Sequence, residues 1–221
     1  MCRILLTRSD KPFAIADELK PFASIAENSR EYQGHGWGCS WLDDDTAADS
    51  ASAEPAWQHY HNIKPVWEDD ISSFPQTTLL LVHARSAFRD EGIAVENNMP
   101  FTDGESVFIF NGELRGVKIK SEGRIGAEKI FNYIRRMNKG DKLQALDKAV
   151  SIINRRTQYV RAMNILMSDG NQCLLSSTYS EDPGYFQMHR SVHGGIERVC
   201  SEPFPETGKW DAVDNHTTVL I

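Results

Sequence analysis

Short apolar runs bounded by turn-forming residues dominate both ends of the chain, and two stretches of helical periodicity occupy its middle. Residues 2–6, Trp37–Leu42 after Gly36, and residues 77–84 read as strands. The last contains Leu79-Leu80-Leu81-Val82, an unbroken apolar run that suits a strand buried on both faces. Residues 107–110 form another apolar run, which the turn signal Asn111-Gly112 is expected to end. Further strands are expected over residues 162–167, 172–176, 185–189, 198–200 and Thr217–Leu220. Asp169-Gly170-Asn171 between two of them predicts a hairpin turn.

In the middle, residues 127–137 place Ile130, Phe131 and Ile134 on one face, which is the period of a helix. Asn138-Lys139-Gly140 supplies its stop. Asp141 is then a cap for a second helix over residues 142–154, with Leu143, Leu146, Val150 and Ile153 as its apolar stripe. The pair predicts an αα-hairpin packed on a sheet. Strands, two helices and strands again predict a layered α+β domain.

Composition narrows the function classes. The chain has 221 residues, enough for one large domain or two small ones. Its 24 Lys plus Arg face 31 Asp plus Glu, a net charge of −7, which argues against non-specific nucleic-acid or anionic-membrane binding. No apolar run approaches the roughly 18 residues of a membrane span. The first apolar run ends at Leu6, short of the roughly 7–15 residues of a signal-peptide core. Cys2, Cys39, Cys173 and Cys200 are scattered with no C-x-x-C pair, which fits reduced thiols in a cytoplasmic protein. Residues 43–54, rich in Asp, Ala and Ser, read as a solvated acidic loop within the domain. Asp43, Asp44 and Asp45 lack the ligand spacing of a hard-cation site. His59-x-His61 has no third metal ligand at useful spacing, so packing roles are expected there, and Trp57, Trp67 and Trp210 read as core or rim aromatics. His83 is expected to pack or hydrogen-bond beside whatever site the strand ends build.

Cys2 is unusual in position. With Met1 removed it carries a free α-amine and a thiol on one residue. An α-amine has a pKa of about 8, close enough to neutrality to take the thiol proton and return it to a leaving group. An acyl-transfer site also needs oxyanion donors and a substrate anchor. Asn111 and Gly112 offer an amide side chain and a backbone N–H after a buried strand, and Arg85 offers a guanidinium fork for a carboxylate. Each has a plain structural explanation when taken alone.

Taken together, Met1-Cys2-Arg3, Gly36-Trp37-Gly38, His83-Ala84-Arg85-Ser86-Ala87, Asn97-Asn98-Met99-Pro100-Phe101 and Phe110-Asn111-Gly112-Glu113-Leu114 occur in an order that resembles class II glutamine amidotransferase domains, which are N-terminal-nucleophile hydrolases. Cys200-Ser201-Glu202-Pro203 and Trp210 extend the likeness to stand-alone members, among them the γ-glutamyl amidohydrolase of ergothioneine synthesis. The resemblance implies one domain over residues 1–221 folded as a four-layer αββα sandwich. It implies Cys2 as nucleophile after loss of Met1, Asn111 and Gly112 as the oxyanion hole, and Arg85 as the anchor of a substrate α-carboxylate. The implied reaction is attack on the γ-carboxamide of glutamine or a γ-glutamyl-like compound, a thioester at Cys2, and hydrolysis, with no metal or organic cofactor. A small-molecule amide is then the substrate, and a separate protein is the acceptor of any ammonia that is used.

Two positions depart from the family pattern. Gly126, in Ile125-Gly126-Ala127-Glu128, stands where members carry the Asp that holds the substrate α-ammonium. Losing one partner of such a buried charge pair costs about 2–5 kcal/mol of binding. Phe88 stands where a hydroxyl residue is common. Glu122 or Glu128 would have to supply the missing charge, although helix-start acidity explains both without it. The departures leave two further readings: an acylase acting on a non-glutamyl amide, and a catalytically weak binding or regulatory subunit.

Overall fold

The computed structural model describes residues 1–43, 56–205 and 208–221, so residues 44–54 of the expected acidic loop lie outside the described residues. The chain opens with β1 (Arg3–Ala14) and α1 (Ile15–Glu27), followed by β2 (Trp37–Leu42), β3 (Trp57–Asn62) and β4 (Gln76–Ala84). Next come β5 (Phe101–Thr102), β6 (Val107–Val117), α2 (Gly126–Met137) and α3 (Lys142–Arg155). The rest comprises β7 (Thr157–Ser168), β8 (Cys173–Ser177), the single turn α4 (Pro183–Phe186), β9 (His189–His193), β10 (Ile196–Cys200), β11 (Asp211–Ala212) and β12 (Thr217–Leu220).

Two antiparallel sheets result. One runs β11-β9-β10-β1-β4-β2-β3 and the other β12-β8-β7-β6-β5. Side chains alternate across a strand, and β1 shows why two layers form on this sheet. Ile4 and Leu6 join Leu81, Ile109 and Leu166 in the core that includes the second sheet, while Leu5 joins Leu19 and Phe22 of α1. On the far side of the second sheet, Phe108 stacks on Phe131 of α2, with centroids 5.1 Å apart. Helix, sheet, sheet and helix pair are the expected αββα sandwich. The αα-hairpin is present as the periodicity predicts, and the Asp141 side chain accepts from the Gln144 N–H at 2.9 Å as its cap. Cys39, Cys173 and Cys200 are buried free thiols, as expected.

The structure corrects three expectations and adds one helix. β1 runs on to Ala14: its exposed residues 10–12 have no partner in β4, and pairing resumes after a register shift at Phe13 and Ala14. Asn111-Gly112 is not a turn, because β6 continues through it with Asn111 opposite Asn164 and Gly112 opposite Met163. A Cβ on Gly112 would lie 2.2 Å from the Ala162 carbonyl oxygen, so glycine is there for close strand approach. Residues 185–189 are not a strand, since Pro183 opens a helical turn and β9 starts at His189. Helix α1 is an element the sequence reading did not include; it holds Pro21 in its interior, and its buried face of Leu19, Phe22 and Ile25 offsets that cost.

One buried ion pair ties α1 to the sheet. Arg198 donates Nε and Nη2 to the two Glu18 carboxylate oxygens at 2.8 and 2.6 Å, and Thr7 Oγ1 donates to the same carboxylate at 3.0 Å. Removing one member leaves a buried charge without its partner. Glu18→Ala is expected to lower unfolding free energy by about 3–5 kcal/mol in urea titrations. Lys20→Ala, which breaks the solvated Asp17–Lys20 pair, is expected to change it by less than about 1 kcal/mol.

Candidate active site

Cys2 immediately precedes β1 and continues the alternation of Ile4 and Leu6, which places it on the side facing the second sheet. Its thiol donates to the Ser86 carbonyl at 3.7 Å and accepts from the Ser86 N–H at 3.5 Å. Ser86 follows β4, the strand paired with β1. The backbone of Arg85 is held on both sides by the turn before β2: its N–H donates to Gly36 O at 2.9 Å and its carbonyl accepts from His35 at 3.1 Å. Gly36 makes this turn at φ +103°, a conformation that favours glycine. The Arg85 guanidinium is 6% exposed, and its Nη1 has no partner in the protein.

Burial pushes the Cys2 thiol above its ordinary pKa, against the lowering effects of the chain-terminal ammonium, the Ser86 N–H and Arg85. A thiol so placed is protonated at neutral pH and needs a base before it can attack.

Asn111 and Gly112 lie on β6 in the facing sheet. Phe108 faces α2, so by alternation Asn111 faces the first sheet. Asn111 is wholly buried, and neither its Oδ1 nor its Nδ2 has a partner in the protein. Its cross-strand neighbour Asn164 does not relieve it: Asn164 donates to Phe186 O at 2.7 Å and accepts from Ser177 Oγ at 2.8 Å. A buried unpaired amide costs about 1–3 kcal/mol, and such groups cluster where a ligand supplies the missing partner.

An ionic chain joins the two halves of the site. The Met1 ammonium pairs with Glu31, Glu31 with Arg161 at 3.2 Å, and Arg161 with Glu113, one residue beyond Gly112, at 3.5 Å. The Met1 carbonyl accepts from Gln33 Nε2 at 2.5 Å and from Tyr185 OH at 2.7 Å. Sequence reading missed Glu31, Gln33, Arg161 and Tyr185. They come from a loop, β7 and a helical turn, and no spacing links them.

The two residues offered as alternatives to the missing aspartate are occupied or solvated, as helix-start acidity predicts. Glu128 is bound by Arg124, 2.7 Å from Nη2 to Oε1, and Glu122 is exposed. A Cβ on Gly126 would meet nothing within 4 Å. Nearby, His61, Asn98, Pro100, Arg124, Glu128 and Phe131 line a cavity of about 440 Å³. His61 and His59 are engaged with Pro100 O at 3.0 Å and Ser40 Oγ at 2.7 Å. Phe88 is 55% exposed. No group of three metal-ligating side chains occurs among the described residues, and no helix there is long and apolar enough to cross a membrane.

The fold is shared with solved structures of glutamine amidotransferase proteins. The chain superposes on a glutamine aminotransferase class-II domain protein from Silicibacter pomeroyi with a TM-score of 0.66 at 17% identity, covering 100% of this chain and 94% of that one. It superposes on the glutamine phosphoribosylpyrophosphate amidotransferase of B. subtilis with a TM-score of 0.63 at 14% identity, over 90% of this chain and 42% of that longer one. A predicted glutamine amidotransferase from Pseudomonas aeruginosa gives 0.55 at 14% identity, over 99% and 96%. At these identities the likeness establishes the fold. No protein-family model and no curated protein matches the chain.

His83 packs beside the site without hydrogen bonds: it is wholly buried, and neither ring nitrogen has a partner in the protein. Burial, reinforced by Arg85 and His61, lowers its pKa to about 3. The unfolded chain takes up a proton near pH 6.5 that the native state refuses, so this stabilisation is complete above about pH 6.5 and is lost as pH falls toward about 3. Stability is expected to fall by about 1.4 kcal/mol per pH unit from this group between about pH 6 and 4. Urea titrations of His83→Gln over that range should show a slope smaller by about one proton.

Proposed function

We propose that this protein is an amide-cleaving hydrolase of the class II glutamine amidotransferase type, acting through Cys2 once Met1 is removed. The observation that carries the reading is Asn111, a wholly buried amide with both polar atoms unpartnered, on the sheet that faces Cys2. Arg85 supports it, as a second buried side chain with an unpartnered donor beside the thiol. In this reading the Cys2 α-amine takes the thiol proton and the sulfur attacks the amide carbon. Asn111 Nδ2 and the Gly112 N–H hold the oxyanion. The amine then protonates the departing nitrogen, leaving a thioester that water hydrolyses. Arg85 binds a carboxylate on the acyl half, as in glutamine or a γ-glutamyl compound. Residues 1–221 form one such domain, working in the cytoplasm alone or beside an ammonia-accepting protein. Its tail motifs resemble those of the stand-alone ergothioneine-type amidohydrolase.

A second reading, an acylase for an amide whose acyl half lacks an α-ammonium, is favoured by the open surroundings of Gly126 and by the Arg124 that binds Glu128.

Intact mass of the protein treated with a glutamine-mimicking diazoketone tests the proposal. Loss of Met1 with one adduct, absent in Cys2→Ala, is expected. Asn111→Ala is expected to lower kcat on the amide by about 10²–10³-fold with KM little changed. A retained Met1, or turnover undiminished in Cys2→Ala, would overturn the assignment. Loss of Met1 without an adduct would move the reading to the acylase.

A further inference from the structure

The residue that must leave for the chemistry to begin is held in a built site. Its ammonium pairs with Glu31, its carbonyl accepts from Gln33 Nε2 and Tyr185 OH, and its side chain packs on the cluster of Ala162, Tyr185 and Phe186. The groups around it are themselves fixed. Gln33 is wholly buried, and its Oε1 has no partner in the protein. The Tyr185 ring lies under the guanidiniums of Arg3 and Arg30, 4.2 and 4.8 Å from its centroid. Charge at the site is unbalanced without the Met1 ammonium. Arg161 reaches Glu31, Glu113, Glu181 and Asp182, while Arg115 also serves Glu113 and Arg30 also serves Asp182. Three guanidiniums therefore face four carboxylates, and a cation at the Met1 position completes the set.

This place has a defined relation to the reaction proposed above, on which the inference rests. The group that returns a proton to the departing nitrogen is the Cys2 α-amine, so that nitrogen must come within about 3 Å of it. The Met1 carbonyl carbon is bonded to the same amine nitrogen. A substituent that leaves the departing nitrogen on the Met1 side therefore enters the space in which Met1 is held.

We infer that the Met1 site becomes the leaving-group subsite of the mature protein, and that it takes an amine bearing a short apolar stem with a second, cationic nitrogen at its far end. Glu31 receives the cation, and Tyr185, Phe186 and Ala162 wall the apolar stem. The substrate class is an N-substituted amide of a short diamine or similar basic amine. In the reaction the Cys2 sulfur–carbon bond forms and the carbon–nitrogen bond breaks. The proton taken from the thiol goes to the departing nitrogen, and water then cleaves the thioester to release the acid.

The test compares kcat/KM of the processed protein on glutamine, on the γ-glutamyl amide of 1,4-diaminobutane, and on γ-glutamyl pentylamide, the neutral isostere. The diamine amide is expected to exceed the pentylamide by roughly 10- to 100-fold, the range of one charge-assisted contact. Glu31→Gln is expected to bring the two within about twofold of each other, since it removes that one contact. Equal rates on the two amides, or a ratio unmoved by Glu31→Gln, in a protein that still takes the diazoketone adduct on Cys2 would overturn the subsite alone. That outcome would assign Glu31 to the amine of Cys2 itself. A protein with no adduct and no turnover of any of the three would overturn both this inference and the function it rests on.

Discussion

One guanidinium holds the two halves of this site in relation. Arg161 stands on β7 of the second sheet, yet it reaches Glu31 in the segment before β2 and, through it, the start of the chain. It also reaches Glu113, the residue after the Asn111-Gly112 pair. The nucleophile candidate and the oxyanion candidates sit on different sheets, and apolar packing between sheets is non-directional. A charge-assisted contact to a planar guanidinium adds the direction that packing lacks. Arg161 is about one-fifth exposed, so its worth lies in placement more than in net stability.

The sandwich core supplies the stability that the site gives up. Asn111, Arg85 and His83 are buried with polar atoms that no protein group satisfies. Each such atom opposes folding. They are tolerated because β1, β4 and β6, which present them, also bury aliphatic side chains completely, including Ile4, Leu6, Leu81, Val82, Val107 and Ile109. Local rules are broken where chemistry is expected and obeyed elsewhere. The three remaining cysteines obey them: burial, with the Glu202 charge, pushes the Cys200 thiol up to about 12, where it is inert.

The comparison of Met1 with Cys2 illustrates how one set of groups can serve two occupants. The loop of Glu31 and Gln33 and the turn of Tyr185 grip a peptide carbonyl and an ammonium. Neither feature belongs to the thiol, which has its own partner in Ser86. The nucleophile and its neighbour are thus positioned independently, and removal of one leaves the contacts of the other in place.

Much of the architecture was legible along the chain. The periodicity of Ile130, Phe131 and Ile134, the Asp141 cap, the Leu79–Val82 run and the hairpin at Gly170 each depend on neighbours within a few residues, and local pattern is sufficient for these. Cys2, Arg85, Asn111 and Gly112 stood out by type and order. What failed locally was decided by contacts distant in sequence. Pro21 sits inside a helix because that helix has a sheet to cover, and Asn111-Gly112 runs straight because β7 pairs through it. Glu31, Gln33, Arg161 and Tyr185 carried no signal at all. The sequence by itself determined which residues have reactive or apolar character and where local elements begin. Only the tertiary structure decided which polar groups share one buried place, because that depends on sheet register and chain crossing, and no spacing along the chain encodes either.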